Sequence, residues 1–245
     1  MLHTKNNVKD DEDDPFEMVV SGLEVGAIQE DYYPIALVTS RGKVECRYYP
    51  VDGAKCGAIY VGGVGGGWDT PAKGLYPQLC QELTGEAIAS LRVRFRHPTI
   101  LAESVLDVLA GISYLESEGI DTVALIGHSF GGAVVIQAAF LSQAVRSIVT
   151  LASQSYGAAP ASQLAPRCSI LLIHGKRDKV LSPSCSQYIY SLSREPKHLI
   201  LYDGADHGLD EVAEEVHQEV RQWIVEKLKE SLEIKASSDG AKNNV

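Results

Sequence analysis

Apolar runs of strand length and apolar stripes of helical period take turns along most of this chain. Residues 35–39 and 43–49 are two β-rich runs around Ser40-Arg41-Gly42, which predicts an antiparallel hairpin. Residues 58–61 predict a short buried strand running into the glycine cluster 62–67, and a helix over about 73–83 precedes a strand over 87–92. Leu101, Val105, Val108, Leu109, Ile112 and Leu115 recur at steps of three and four, one face of a helix. A strand beginning at Val123, a helix after Ser129, and strands over 147–151 and 169–173 come next. A helix near 183–192, a strand over 198–202 and a last helix complete the pattern. That last helix carries Val212, Val216, Val220, Trp223, Ile224 and Leu228 on one stripe.

Strands separated by helices predict an α/β fold, a three-layer sandwich around a mostly parallel central sheet. The opening hairpin is expected to be antiparallel. A single domain is expected over 18–229, between an acidic flexible tail at 1–17 and a flexible tail at 230–245. In such sheets the chemistry gathers at the carboxyl ends of the strands.

Composition narrows the partners. The chain has 245 residues, 45% of them hydrophobic, enough for one well-packed core and too few for two large ones. A formal net charge of −10 argues against nucleic acid or anionic lipid as the main partner. Much of the acidity is local, since Asp10, Asp11, Glu12, Asp13, Asp14 and Glu17 stand close together. No apolar leader and no membrane span are seen, so a soluble, cytoplasmic protein is expected. The cysteines at 46, 56, 80, 168 and 185 are scattered and form no C-x-x-C pair, which predicts reduced thiols and no metal site.

The chemistry concentrates at Gly127-His128-Ser129-Phe130-Gly131. Here a buried strand turns sharply into a helix, the context a G-x-S-x-G nucleophile elbow requires. A serine hydroxyl is a poor nucleophile at neutral pH and needs an imidazole base, itself oriented by a carboxylate. Asp178 and His207 supply both, each just past the carboxyl end of a later strand. Asp178 could also cap the helix that follows it. Asp206 is the rival acid, but a side chain one residue away rarely curls back onto its neighbour's ring. His128 and His174 lie at strand ends beside the site and read as packing or hydrogen-bonding residues.

Ser129 in GHSFGG, Asp178 in HGKRD and His207 in GADHG together resemble the α/β-hydrolase superfamily, over most of residues 32–228. Only about 18 residues lie between Thr150 and Arg167, where related proteins insert a helical cap. The chain therefore looks most like the compact, cap-less dienelactone-hydrolase-like and small serine-esterase members. The dienelactone hydrolases themselves use cysteine where this chain has Ser129. The resemblance implies an acyl-enzyme mechanism on an ester or thioester, with no cofactor. It also implies an oxyanion hole from the backbone N–H groups of Phe130 and Val64, with Gly63 or Gly65 as alternative donors to Val64. Because the base must be neutral, activity is expected to fall on acidification through about 6.5, the ordinary imidazole value.

Substrate clues are fewer. Gly63, Trp68 and Tyr156 are candidate substrate contacts beside the oxyanion loop and after a central strand. Arg94 and Arg96 are candidate clamps for a carboxylate-bearing substrate, set against the commoner reading of structural ion pairs. The glycine cluster lacks the Gly-Lys-[Ser/Thr] ending of a phosphate loop and the spacing of a dinucleotide fingerprint. A non-catalytic ligand-binding or receptor protein on the same scaffold, and a peptidase or C–C hydrolase, are the alternative readings.

Overall fold

The computed structural model describes residues 17–242, so the acidic run at 10–14 and the last three residues lie outside it. Nine strands form one sheet. They are β1 (Val20–Val25), β2 (Tyr33–Thr39), β3 (Gly42–Tyr49), β4 (Cys56–Val61), β5 (Ile88–Val93), β6 (Thr122–His128), β7 (Val145–Leu151), β8 (Ser169–Gly175) and β9 (Lys197–Tyr202). Five α-helices accompany them: α1 (Leu75–Glu82), α2 (Leu101–Ser117), α3 (Phe130–Leu141), α4 (Ser184–Leu192) and α5 (Ala213–Lys242).

The strand order is β1-β2-β3-β5-β4-β6-β7-β8-β9. β1, β2, β3 and β5 pair antiparallel, and every pair from β5–β4 through β8–β9 is parallel. β4, β5 and β8 are buried at every position, as strands covered on both faces must be.

Two cores flank the sheet. On one face Ile59, Leu91, Leu125, Ile148 and Leu172 meet Val105, Val108 and Ile112 of α2 and Val134 of α3. On the other, Ala58, Tyr60, Ala124 and Ile126 meet Leu75 and Leu79 of α1 and Val216, Val220, Ile224 and Leu228 of α5. The connection from β7 to β8 holds only a short 3-10 helix, Ala159–Gln163, and no large cap.

Three details depart from the sequence reading. β1 has no counterpart in the sequence pattern: it is an edge strand exposed at all but one position, so no buried apolar face marks it. Helix α1 starts at Leu75 rather than Lys73, because Ala72, Lys73 and Gly74 all have positive φ and cannot propagate a helix. Finally, α5 continues past Lys229 to Lys242, into the stretch whose composition marks it as a flexible tail.

Candidate active site

The turn between β6 and α3 sets the site. Ser129 sits there at φ 56° and ψ −117°, a conformation unfavourable for a residue with a side chain. It is held by its own N–H to Leu151 O at 2.8 Å, while its carbonyl accepts from Gly132 and Gln154. The flanking glycines are sterically required. A Cβ at Gly127 would strike the carbonyl of Gly131, and one at Gly131 would strike the carbonyl of Gly62. Strand, helix and the loop after β4 thus meet at van der Waals limits around one hydroxyl.

From the loop after β8 comes Asp178 and from the loop after β9 comes His207. His207 Nδ1 lies 2.7 Å from Asp178 Oδ2, and His207 Nε2 lies 3.1 Å from Ser129 Oγ. The three side chains singled out in the sequence meet in the order hydroxyl, imidazole, carboxylate. Asp178 Oδ1 accepts the N–H groups of Val180 and Leu181, each at 2.8 Å. Burial alone would raise its pKa. Donation from Leu181, from the His207 ring and from Val180 outweighs that, and the carboxyl is held below its ordinary value. An ionised Asp178 can only accept, so the proton on His207 sits at Nδ1 and the Nε2 lone pair faces Ser129.

Two further histidines pack around this line. His174 is fully buried, with Nε2 3.1 Å from Asp178 Oδ2 and 3.1 Å from Leu181 O. Both partners are acceptors, so Nε2 carries the proton, and Nδ1 accepts from Ser186 Oγ at 2.7 Å. Ser186 carries no motif, and no feature of the sequence marks it. His128 Nε2 donates to His207 O at 3.0 Å, and the two rings lie 4.8 Å apart. Burial pushes the pKa of His128 down to about 4 and that of His174 below its ordinary value. Asp206 faces away from the ring. It accepts the N–H groups of His207 and Lys179 and pairs with the Lys179 ammonium, whose hydrogen bond chiefly lowers its pKa to about 2.

The loop after β4 closes the other side. A Cβ at Gly63 would stand 3.3 Å from Ser129 Cβ and 3.7 Å from its Oγ. The N–H groups of Val64 and Phe130 have no hydrogen-bond acceptor among the described residues. Trp68, at the far end of this loop, lies against the guanidinium of Arg47 at 4.3 Å and that of Arg92 at 5.6 Å. Arg92 also donates to Trp68 O at 2.7 Å. The side chain of Tyr156 stands in solvent.

The two candidate clamps are engaged elsewhere. Arg94 pairs with Glu45 on the surface. The side chain of Arg96 is only 7% exposed, pairs with Asp107 and Glu103, and donates to Arg41 O. Neither is brought to Ser129, and both make the structural ion pairs of the commoner reading.

Together, this sheet, the elbow and the strand-end loops define the α/β-hydrolase fold, in its compact, dienelactone-hydrolase-like form without a large cap. Dienelactone hydrolase from Anabaena variabilis superposes with a TM-score of 0.69 at 14% identity, covering 80% of this chain and 97% of that one. The esterase domain of a Rhodothermus marinus protein gives 0.64 at 18%, covering 85% and 100%. Est1E from Butyrivibrio proteoclasticus gives 0.63 at 15%, covering 76% and 95%. In sequence, the uncharacterized protein YfhR of Escherichia coli K12 is 32% identical over 105 residues. That match takes in 34% of this chain and 37% of YfhR, so the chain spans little more than a third of that relative. No protein-family model matches the chain. Among the described residues, no helix is long and apolar enough to cross a membrane.

Proposed function

We propose that this protein is a serine hydrolase acting on carboxylic esters or thioesters through an acyl-enzyme. The observation that carries this is the unbroken line Ser129 Oγ, His207 Nε2, His207 Nδ1, Asp178 Oδ2, at 3.1 Å and 2.7 Å. His207 takes the Ser129 proton at Nε2 as Oγ attacks the carbonyl carbon. The tetrahedral oxyanion forms beside the N–H groups of Phe130 and Val64, and these two donors suit that role because no other acceptor occupies them. His207 then gives its proton to the departing alcohol or thiol. Water, deprotonated by the same nitrogen, releases the acid in the second half-reaction. Asp178 keeps the imidazole tautomer and stabilises the imidazolium. The esterase and dienelactone hydrolase neighbours lend support through the shared fold alone.

Fluorophosphonate labelling across an ester and thioester panel tests the reading, with Ser129→Ala as control. Labelling and turnover are expected in the wild type and lost in the variant. Labelling that survives in Ser129→Ala removes Ser129 as nucleophile. A wild type that neither labels nor turns over any member of the panel favours a binding protein.

A further inference from the structure

Three large apolar side chains stand in solvent on loops that converge at Ser129. Val64 is 54% exposed, Ile100 50% and Tyr156 81%. Buried hydrophobic side chains are the rule in a chain of this size, and single exposed ones need no explanation. These three are grouped by the fold. The Val64 loop touches the nucleophile at Gly63 and meets the loop before α2 where Gly66 faces Pro98, at 3.2 Å for a notional Cβ. Ile100 caps the start of α2, and the next residue, Leu101, packs against Gly157 beside Tyr156. Gln154, two residues before Tyr156, donates its N–H to Ser129 O and its side-chain amide to Tyr156 O. The circuit therefore begins and ends at the serine.

Chemistry orients the substrate against that circuit. His207 must protonate the leaving group, so the alcohol or thiol departs toward the loops of Asp178 and His207. The acyl chain leaves Ser129 away from His207, and the loops of Val64, Ile100 and Tyr156 are the further loops that the contacts above link to the serine. Arg94 and Arg96 are held away from it by Glu45, Asp107 and Glu103, and the Asp69 carboxylate lies against Gly65 beside Val64, which disfavours an anionic acyl chain. We infer that the acyl subsite is an open apolar rim of Val64, Ile100 and Tyr156, selecting esters of uncharged, medium-length hydrocarbon acids over acetate. This rests on the serine hydrolase reading and names its substrate class.

Without a cap the chain is buried on one side only. Full burial of a methylene is worth about fourfold in affinity, so each methylene here is worth less than that. The test is kcat/KM for p-nitrophenyl acetate, butyrate and octanoate below micellar concentration, in the wild type, in Ile100→Ser with Tyr156→Ser, and in Leu23→Ser. Leu23 is an exposed apolar residue on β1, remote from the site in the sheet order. The wild type is expected to prefer octanoate to acetate by about tenfold or more. The double variant should cut that ratio about fivefold, and Leu23→Ser should leave it unchanged. A flat or acetate-preferring wild type overturns the rim while leaving the hydrolase reading standing. So does an equal fall of both esters in the double variant, or a Leu23→Ser ratio that falls as far. If no ester turns over and no fluorophosphonate labels Ser129, both readings fall together.

Discussion

His174 and His207 are bound to the same oxygen, Asp178 Oδ2, at 3.1 Å and 2.7 Å. One ring is sealed in the core with its far nitrogen on Ser186, and the other faces the candidate nucleophile. The carboxylate is thereby fixed from both sides, with Val180 and Leu181 holding its second oxygen.

Removing His174 should loosen that carboxylate and spare substrate binding. His174→Leu is expected to lower kcat for a reactive ester about tenfold with KM nearly unchanged. It should also cost about 1–3 kcal/mol of stability, through the Ser186 hydroxyl left unpaired. Steady-state kinetics beside urea unfolding check both. A KM effect equal to the kcat effect would point to the binding surface instead.

Acid should destabilise this protein well before its carboxylates titrate. Burial lowers the folded pKa of His128 to about 4 and that of His174 below its ordinary value, while an unfolded histidine titrates near 6.5. Above that value both states are neutral and stability does not change. As pH falls toward 4 the unfolded chain gains a proton at His128 that the folded one refuses, so stability drops by up to about 1.4 kcal/mol per pH unit, and His174 adds a loss of the same sign. Below that range Asp178, whose folded pKa is depressed, adds its own loss. Urea midpoints between pH 7.5 and 4.5 should decline in the wild type and decline less in His128→Gln.

Gly63→Ala places a methyl group against Ser129 while leaving the core untouched. Activity should fall about ten- to a hundredfold with thermal stability nearly unchanged. Gly131→Ala, by contrast, drives a Cβ into the Gly62 carbonyl and should cost several kcal/mol, as overpacking does. Circular dichroism melts separate the two cases.

Arg96→Ala breaks a buried pair and leaves Asp107, which has no exposed side-chain surface, without its cation. Such losses typically cost about 3–5 kcal/mol. The KM for acidic esters is expected to stay at the wild-type value, in both this variant and Arg94→Ala. A selective rise in KM for acidic esters would restore the clamp.

Most of the fold was legible because buried parallel strands read as continuous apolar runs, and α2 and α5 carry clean stripes. The three residues of the candidate relay were legible for a different reason: each stands just past a strand's carboxyl end. What stayed hidden depends on contacts between distant segments. The roles of Ser186 and of the Arg47 and Arg92 guanidiniums around Trp68 leave no trace in spacing, since only the folded sheet brings them together. The ion pairs of Arg96 were the commoner reading in the sequence, but their partners stayed open because spacing alone does not turn its side chain onto Glu103 and Asp107, seven and eleven residues on in α2.

The brevity of the β7–β8 connection carries its own consequence. In the proposed reaction, with only Ala159–Gln163 where a roof would stand, bulk solvent would reach any acyl group left on Ser129 as soon as the first product departs. On the hydrolase reading, competing alcohols or amines must outrun a nucleophile present in vast excess, so synthesis or group exchange is disfavoured against cleavage. Among the described residues no cap lies between β7 and β8, so on that reading the opening of a lid there would not set the pace of each cycle.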